Sequence, residues 1–161
     1  MGSFGFRAFL VLLWMSVIFS LSGQQGSDSA GLSGWISFFL ANAALQLASF
    51  LGFSMDSFTA ADWGNLIHPL VRKIAHASEY AVLSLLLAHC LVLRIRGKVR
   101  VAVAAFAIAC LYAVADEIHQ LLVPGRAGQM RDVFIDGLGA LLGSSLYILV
   151  SHRSDSKKLT V

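Results

Sequence analysis

Charge is scarce in this chain. Asp, Glu, Lys and Arg make up 13% of its 161 residues, where a soluble domain carries about 25%. With 57% hydrophobic residues and a mean hydropathy of +0.75, a water-soluble globule is excluded and an integral membrane protein is implied. Cysteine is nearly absent too. Cys90 and Cys110 both lie inside apolar runs, so a disulfide framework or a cysteine metal centre is not indicated, and the pair reads as small core residues. There is no internal repeat and no low-complexity tract, so a solenoid is not indicated. The net charge of +3 is not a nucleic-acid footprint. The basic residues fall in short segments between apolar runs, which is the signature of membrane topology. The length corresponds to a single domain, residues 1–161.

The fold class expected is all-α: a bundle of four transmembrane helices over about 6–22, 69–93, 99–123 and 132–150. The first run has Arg7 at its start and just suffices to cross the hydrocarbon, with a secretory signal peptide as the rival reading. The 32–53 run is uncharged and long enough to span. A second crossing there, with Arg7 inside, would leave Arg94, Arg96, Lys98 and Arg100 outside. The stretch 32–66 is therefore read as one or two interfacial helices or a re-entrant pair, against a five-span alternative. Pro69 suits the first turn of the second span. Gly137, Gly139, Ala140 and Gly143 allow close helix approach in the last one. Both termini then lie in the cytoplasm. Eight of the twelve Lys and Arg fall on that side, and eight of the nine acids on or toward the other.

Against this background one stretch stands out: Asp116-Glu117-Ile118-His119-Gln120, then Pro124-Gly125-Arg126 and Arg131-Asp132. An Asp near the centre of a membrane helix costs about 2.5–3.5 kcal/mol on insertion scales. A mere anchor has no use for such residues, so they mark a polar site. Lys73, His76 and Tyr80 share one face of the second span. Tyr112, Asp116, His119 and Gln120 share one face of the third, with Glu117 at its edge. Asp132 and Asp136 follow at i, i+4 on the fourth. At about 1.5 Å per residue, His76, Asp116 and Asp136 sit roughly 6–12 Å from their outer helix ends. They can converge on a pocket that opens outward, beneath Arg126 and Arg131.

Each residue also has a structural explanation. Lys73, Arg126 and Arg131 could touch lipid phosphates, and His76 and Tyr80 could bond helix to helix. Asp132 could cap the fourth helix, and Asp136 could pair with Arg126 or Arg131. Glu79 could point either way. Their joint placement at one depth, more than any single residue, carries the functional reading.

At these residues the chain resembles the VanZ-like family of small bacterial membrane proteins. The likeness rests on Lys73-x-x-His76-x-x-x-Tyr80, Tyr112-x-x-x-Asp116-Glu117-x-His119-Gln120, Pro124-Gly125-Arg126, Asp132 and the glycine-bearing last span. Trp14 and the Phe19-Ser20-Leu21-Ser22 run also fit the family's first helix. Asp136 stands where many relatives have Asn. The resemblance implies the fold and the site residues, and an association with low-level resistance to the glycopeptide teicoplanin, but no established reaction.

Three functions compete. In the first, the pocket binds a membrane lipid, a lipid-linked cell-wall precursor or an amphiphilic antibiotic in the plasma membrane. Lys73, Arg126 and Arg131 hold phosphate or carboxylate, while Gln120, Tyr80 and Tyr112 fix orientation, with Asp132 and Asp136 in the same pocket. In the second, the protein is an enzyme acting on such a lipid. His76 or His119 is the general base, and Asp116 or Glu117 orients it or serves as the acid. No cofactor is called for, and the spacing fits no standard metal motif. In the third, the charges form a salt-bridge network in a scaffold. No nucleic acid is expected as a partner, and oligomerisation is left open.

Overall fold

The apolar runs of the sequence fold as helices throughout. The computed structural model describes the backbone of residues 3–23, 26–53, 59–123 and 129–158, and side chains over 3–23, 34–53, 59–123 and 129–151. Five helices occupy these residues: α1 (Phe4–Ser22), α2 (Gly26–Phe50), α3 (Ala60–Leu91), α4 (Lys98–Gln120) and α5 (Met130–Lys158). α1, α3, α4 and α5 are each long and apolar enough to cross a membrane. Their outward faces agree: Leu111, Phe134 and Leu142 are 72%, 69% and 68% exposed, a surface that only lipid can cover.

Inter-helix contacts fix the direction of each span. Trp14 Nε1 donates to the Glu79 carbonyl (2.9 Å) and Arg7 Nη1 to that of His89 (2.5 Å), so α1 and α3 are antiparallel. Tyr112 Oη donates to the Met15 carbonyl (2.7 Å) and Ser22 Oγ to Asp116 (2.5 Å), so α1 and α4 are parallel. α3 and α5 are parallel to each other, with Lys73 beside Asp132 and Ser84 beside Ser144. The start of α1 thus lies at the same end as the short α3–α4 connection. Arg94 there sits over the Phe4 ring, 4.5 Å from its centroid, and Gly97, at φ 93°, makes the turn into α4.

The expected approach through small residues is found at two of the four sites named for it. A Cβ on Gly139 would overlap the Ala77 carbonyl, and one on Gly143 the Ala81 carbonyl. Two small-x-x-x-small steps, Ala77/Ala81 and Gly139/Gly143, therefore bring α3 and α5 backbone to backbone. Ala140 is fully buried beside them. Gly137 has room, its nearest neighbour being Cys110 Sγ at 3.8 Å from an added Cβ. Neither cysteine forms a disulfide. α4 presents Val101, Ala105, Ala109 and Ala113 to the core, and the same stripe continues as Asp116, Glu117 and Gln120.

Among the described residues the segment between α1 and α3 forms one helix rather than a re-entrant pair. α2 runs unbroken to Phe50, where Gly52 (φ 84°) ends it in a Schellman motif, with Phe53 N–H bonded to Ala48 and Gly52 N–H to Ser49. It packs on the first turns of α3, where Gly64 lets the Phe38 backbone approach. It exposes apolar Trp35, Phe39, Leu47 and Phe50 and also a polar stripe of Asn42, Gln46 and Ser49, as an interfacial helix does. Pro69 is a correction to the sequence reading. α3 starts at Ala60, capped by the Thr59–Asp62 box, and Pro69 lies inside it. The capping box starts the helix early, and Pro69 removes only the bond to Asn65. At about 48 Å, α3 outruns the hydrocarbon thickness of about 30 Å, and α2 covers the excess.

The packing makes a testable distinction among glycines. Gly139→Ala and Gly143→Ala lower thermal stability in detergent by about 1–3 kcal/mol each through overpacking. Gly137→Ala leaves it unchanged or slightly raised. Equal effects at all three positions would contradict this packing.

Candidate functional site

The polar residues meet where the core stripes of α3, α4 and α5 reach the end of the bundle opposite the basic loop. α3 turns Lys73, His76 and Tyr80 inward, α4 turns Asp116, Glu117 and Gln120 inward, and α5 contributes Asp132 and Asp136. The close α3–α5 contact at Ala77 and Gly139 lies directly beside them, so Lys73 and His76 face Asp132 and Asp136 across a short gap. Lys73 Nζ is 3.7 Å from Asp132 Oδ1, both side chains about a quarter exposed. Behind them a recess is lined by Arg72, Lys73, His76, Asp132, Ile135 and Asp136; its volume is about 10 Å³, room for one water-sized group.

Asp136 is 3% exposed, and its Oδ1 has no hydrogen-bond partner among the described residues. His76, Asp116, Glu117 and Asp132 all lie within electrostatic range of it. Tyr80 is fully buried, and its hydroxyl also lacks a partner among the described residues, with Asp116 and Asp136 nearby. His76 Nδ1 stands 3.4 Å from Glu79 Oε2, one turn along α3, an ion-pair distance without hydrogen-bond geometry.

Around this centre the polar groups knit the helices together. Asp116, 3% exposed, accepts from Ser22 Oγ (2.5 Å) and Gln120 Nε2 (3.1 Å). Glu117 accepts from the Gln129 backbone N–H and so ties α4 to the start of α5.

The expected residues do not all fall in one place. Asp116, Glu117, Gln120, Asp132, Asp136, Lys73, His76 and Tyr80 converge. Tyr112 is partly buried, its hydroxyl engaged by α1 and its ring 6.3 Å from that of Tyr80. His119 is on the α1 side, stacked on Phe19 with centroids 4.0 Å apart, and its Nδ1 has no partner among the described residues. Arg131 is exposed. Asp132 lies inside the first turn of α5 and pairs with Lys73 instead of capping the helix. Arg126, Pro124 and Gly125 lie outside the described residues. Among the described residues no group of three His, Cys, Asp or Glu could hold a metal.

Sequence reasoning missed Ser22 as the donor to Asp116, the Gln129 backbone as the donor to Glu117, and Phe19 as the face under His119. Ser22 and Phe19 lay within the run already tied to the first helix. No spacing rule links a residue on one span to its partner on another. The Gln129 contact is made by backbone and leaves no trace in side-chain identity.

The network predicts coupling. Ser22→Ala leaves Asp116 one donor short, and Asp116→Asn alters the same bond. A double-mutant cycle on thermal stability should give an interaction of about 1–3 kcal/mol; additive effects would mean that the two residues do not share it.

The comparisons with known proteins agree with this architecture. The sequence profile of the VanZ/LLP1 family matches residues 6–151. A curated relative, the "Uncharacterized membrane protein YwnJ" of Bacillus subtilis (strain 168), is 32% identical over 137 residues, covering 76% of this chain and 91% of the relative. No solved structure matches the chain. A match across all four spans, the polar stretch included, makes this chain a multi-pass membrane protein and a member of the VanZ-like family.

Proposed function

We propose that the protein binds the polar head of an amphiphile at the α3–α4–α5 end of the bundle. The candidates are an anionic lipid-linked envelope intermediate or an acylated glycopeptide. The observation that carries this reading is the Lys73–Asp132 pair standing over the recess of His76 and Asp136 in an otherwise apolar bundle. The pair is long and partly exposed, so it contributes only about 0–1 kcal/mol and parts easily. Lys73, Arg126 and Arg131 would then meet phosphate or carboxylate, with Arg offering a bidentate fork. The recess as it stands admits no bulky head, so binding requires that pair to open.

The opposite end of the bundle carries Arg7, Arg94, Arg96, Lys98 and Arg100, which supports a plasma-membrane orientation with the termini cytoplasmic and the site extracytoplasmic. Teicoplanin resistance enters only through the family resemblance.

A second reading is favoured by the His76–Glu79 contact of 3.4 Å. A histidine beside a carboxylate suits proton transfer on the same headgroup.

Native mass spectrometry of the purified protein tests the binding reading. Phosphate-bearing lipid should co-purify with the wild type, and Lys73→Ala combined with Arg126→Ala should lower its retention about tenfold without lowering the melting temperature. Retention unchanged in the double variant would overturn the reading. Hydrolysed or modified lipid, lost in His76→Ala, would favour the second.

A further inference from the structure

The charges around the recess are unbalanced. Glu79, Asp116, Glu117, Asp132 and Asp136 converge on this end of the bundle; near them stand Arg72, Lys73 and the exposed Arg131. A purely anionic head would meet this excess of carboxylate directly behind Lys73, an arrangement with poor charge complementarity.

Two buried polar groups point the same way. Asp136 Oδ1 lacks a partner among the described residues although the residue is 3% exposed, and the Tyr80 hydroxyl lacks one in a residue that is 0% exposed. Tyr80 is one turn along α3 from His76, within electrostatic range of Asp136. Leaving such atoms unpaired costs about 1–3 kcal/mol each. Asp132 Oδ1, beside Lys73, faces the same recess. The two carboxylate oxygens accept hydrogen bonds and line the recess, whereas the Tyr80 hydroxyl, which both donates and accepts, lies beside its lining. What is missing is a donor of the size of the recess, about 10 Å³. An –NH₃⁺ group offers three donors in about the volume of a water molecule.

We infer that the recess between α3 and α5 receives a primary ammonium group of the amphiphile, donating to Asp136 and its neighbours, while a phosphate or carboxylate of the same head lies outside on Arg72, Lys73 and Arg131. This rests on the proposed binding function and narrows it to zwitterionic heads that pair a primary amine with an anion. A trimethylated ammonium is excluded twice, by its volume and by its lack of N–H donors.

The test is a methylation series on the full-length wild-type protein. Retention of phosphatidylethanolamine, its N-methyl derivatives, phosphatidylcholine and phosphatidylglycerol is compared by native mass spectrometry, with soluble phosphoethanolamine as the arm that separates lipid from free headgroup. The expected result is a preference of about tenfold or more for the primary amine over phosphatidylcholine and phosphatidylglycerol, the value of one charged hydrogen bond. Asp136→Asn should abolish that preference, and Tyr80→Phe, which keeps the ring volume, should reduce it. Competition by phosphoethanolamine supports recognition of the head alone; no competition alongside the lipid preference supports recognition of head and chain together. Equal retention along the methylation series overturns the ammonium site, even if Asp136→Asn fails to fold. Lys73-dependent retention of phosphatidylglycerol without an amine preference overturns the ammonium site and leaves the binding reading standing. Retention of no lipid overturns both.

Discussion

The backbone contact between α3 and α5 governs the rest of the structure. In hydrocarbon there is no hydrophobic force to drive helix onto helix, so association depends on how closely backbones can approach. Ala77 and Ala81 face Gly139 and Gly143 with no space for another carbon. That contact sets the register of two parallel helices. Register then decides that Lys73 meets Asp132 and that His76 and Asp136 share a recess. A larger residue at Gly139 would separate the same side chains as it separated the helices, so packing and site geometry are one constraint read at two levels.

α4 completes the arrangement by continuing its small-residue stripe into charge. Ala105, Ala109 and Ala113 pack against the bundle, and the next turn of that face is Asp116, Glu117 and Gln120. These side chains are buried because the helix is already committed to that face by its alanines. α1 answers with Ser22, its last helical residue, whose hydroxyl reaches Asp116. The bundle is therefore asymmetric along its axis, dry and alanine-lined through the middle, polar and bonded across helices at one end.

Much of this was legible in the residues themselves. Four apolar runs gave four spans, and the helical period of Lys73, His76 and Tyr80 and of Asp116 and Gln120 correctly assigned faces. Depth arithmetic brought Asp136 level with them. Three features were not legible. His119 shares the period of Asp116, but period leaves open which neighbour a flanking position meets, and Phe19 of α1 takes its ring. The start of α3 was hidden because a proline invites a helix start, while the Thr59–Asp62 capping box earlier in the chain wins by satisfying two orphan N–H donors at the helix start. The uncharged 32–53 run is read from charge balance as one or two interfacial helices or a re-entrant pair, and nothing in its own residues says where it packs. Only the position of Gly64 opposite Phe38 shows which helix it lies against.

The amount of polarity at the site exceeds what the fold requires. Inter-helix hydrogen bonds in membranes contribute on average about 0.6 kcal/mol each; a bundle already closed by two glycine–alanine steps gains little from more. The Ser84–Ser144 bond, deeper in the same α3–α5 contact, shows how such stabilisation is made with two neutral hydroxyls at 2.5 Å. At the polar end the same two helices carry Lys73, His76, Asp132 and Asp136, and leave Asp136 Oδ1 and the Tyr80 hydroxyl without partners among the described residues. Those groups weaken the folded state as they stand. A bundle shaped for stability alone has the serine solution available a few turns away, so the charged solution at this end argues for a ligand that supplies the missing partners.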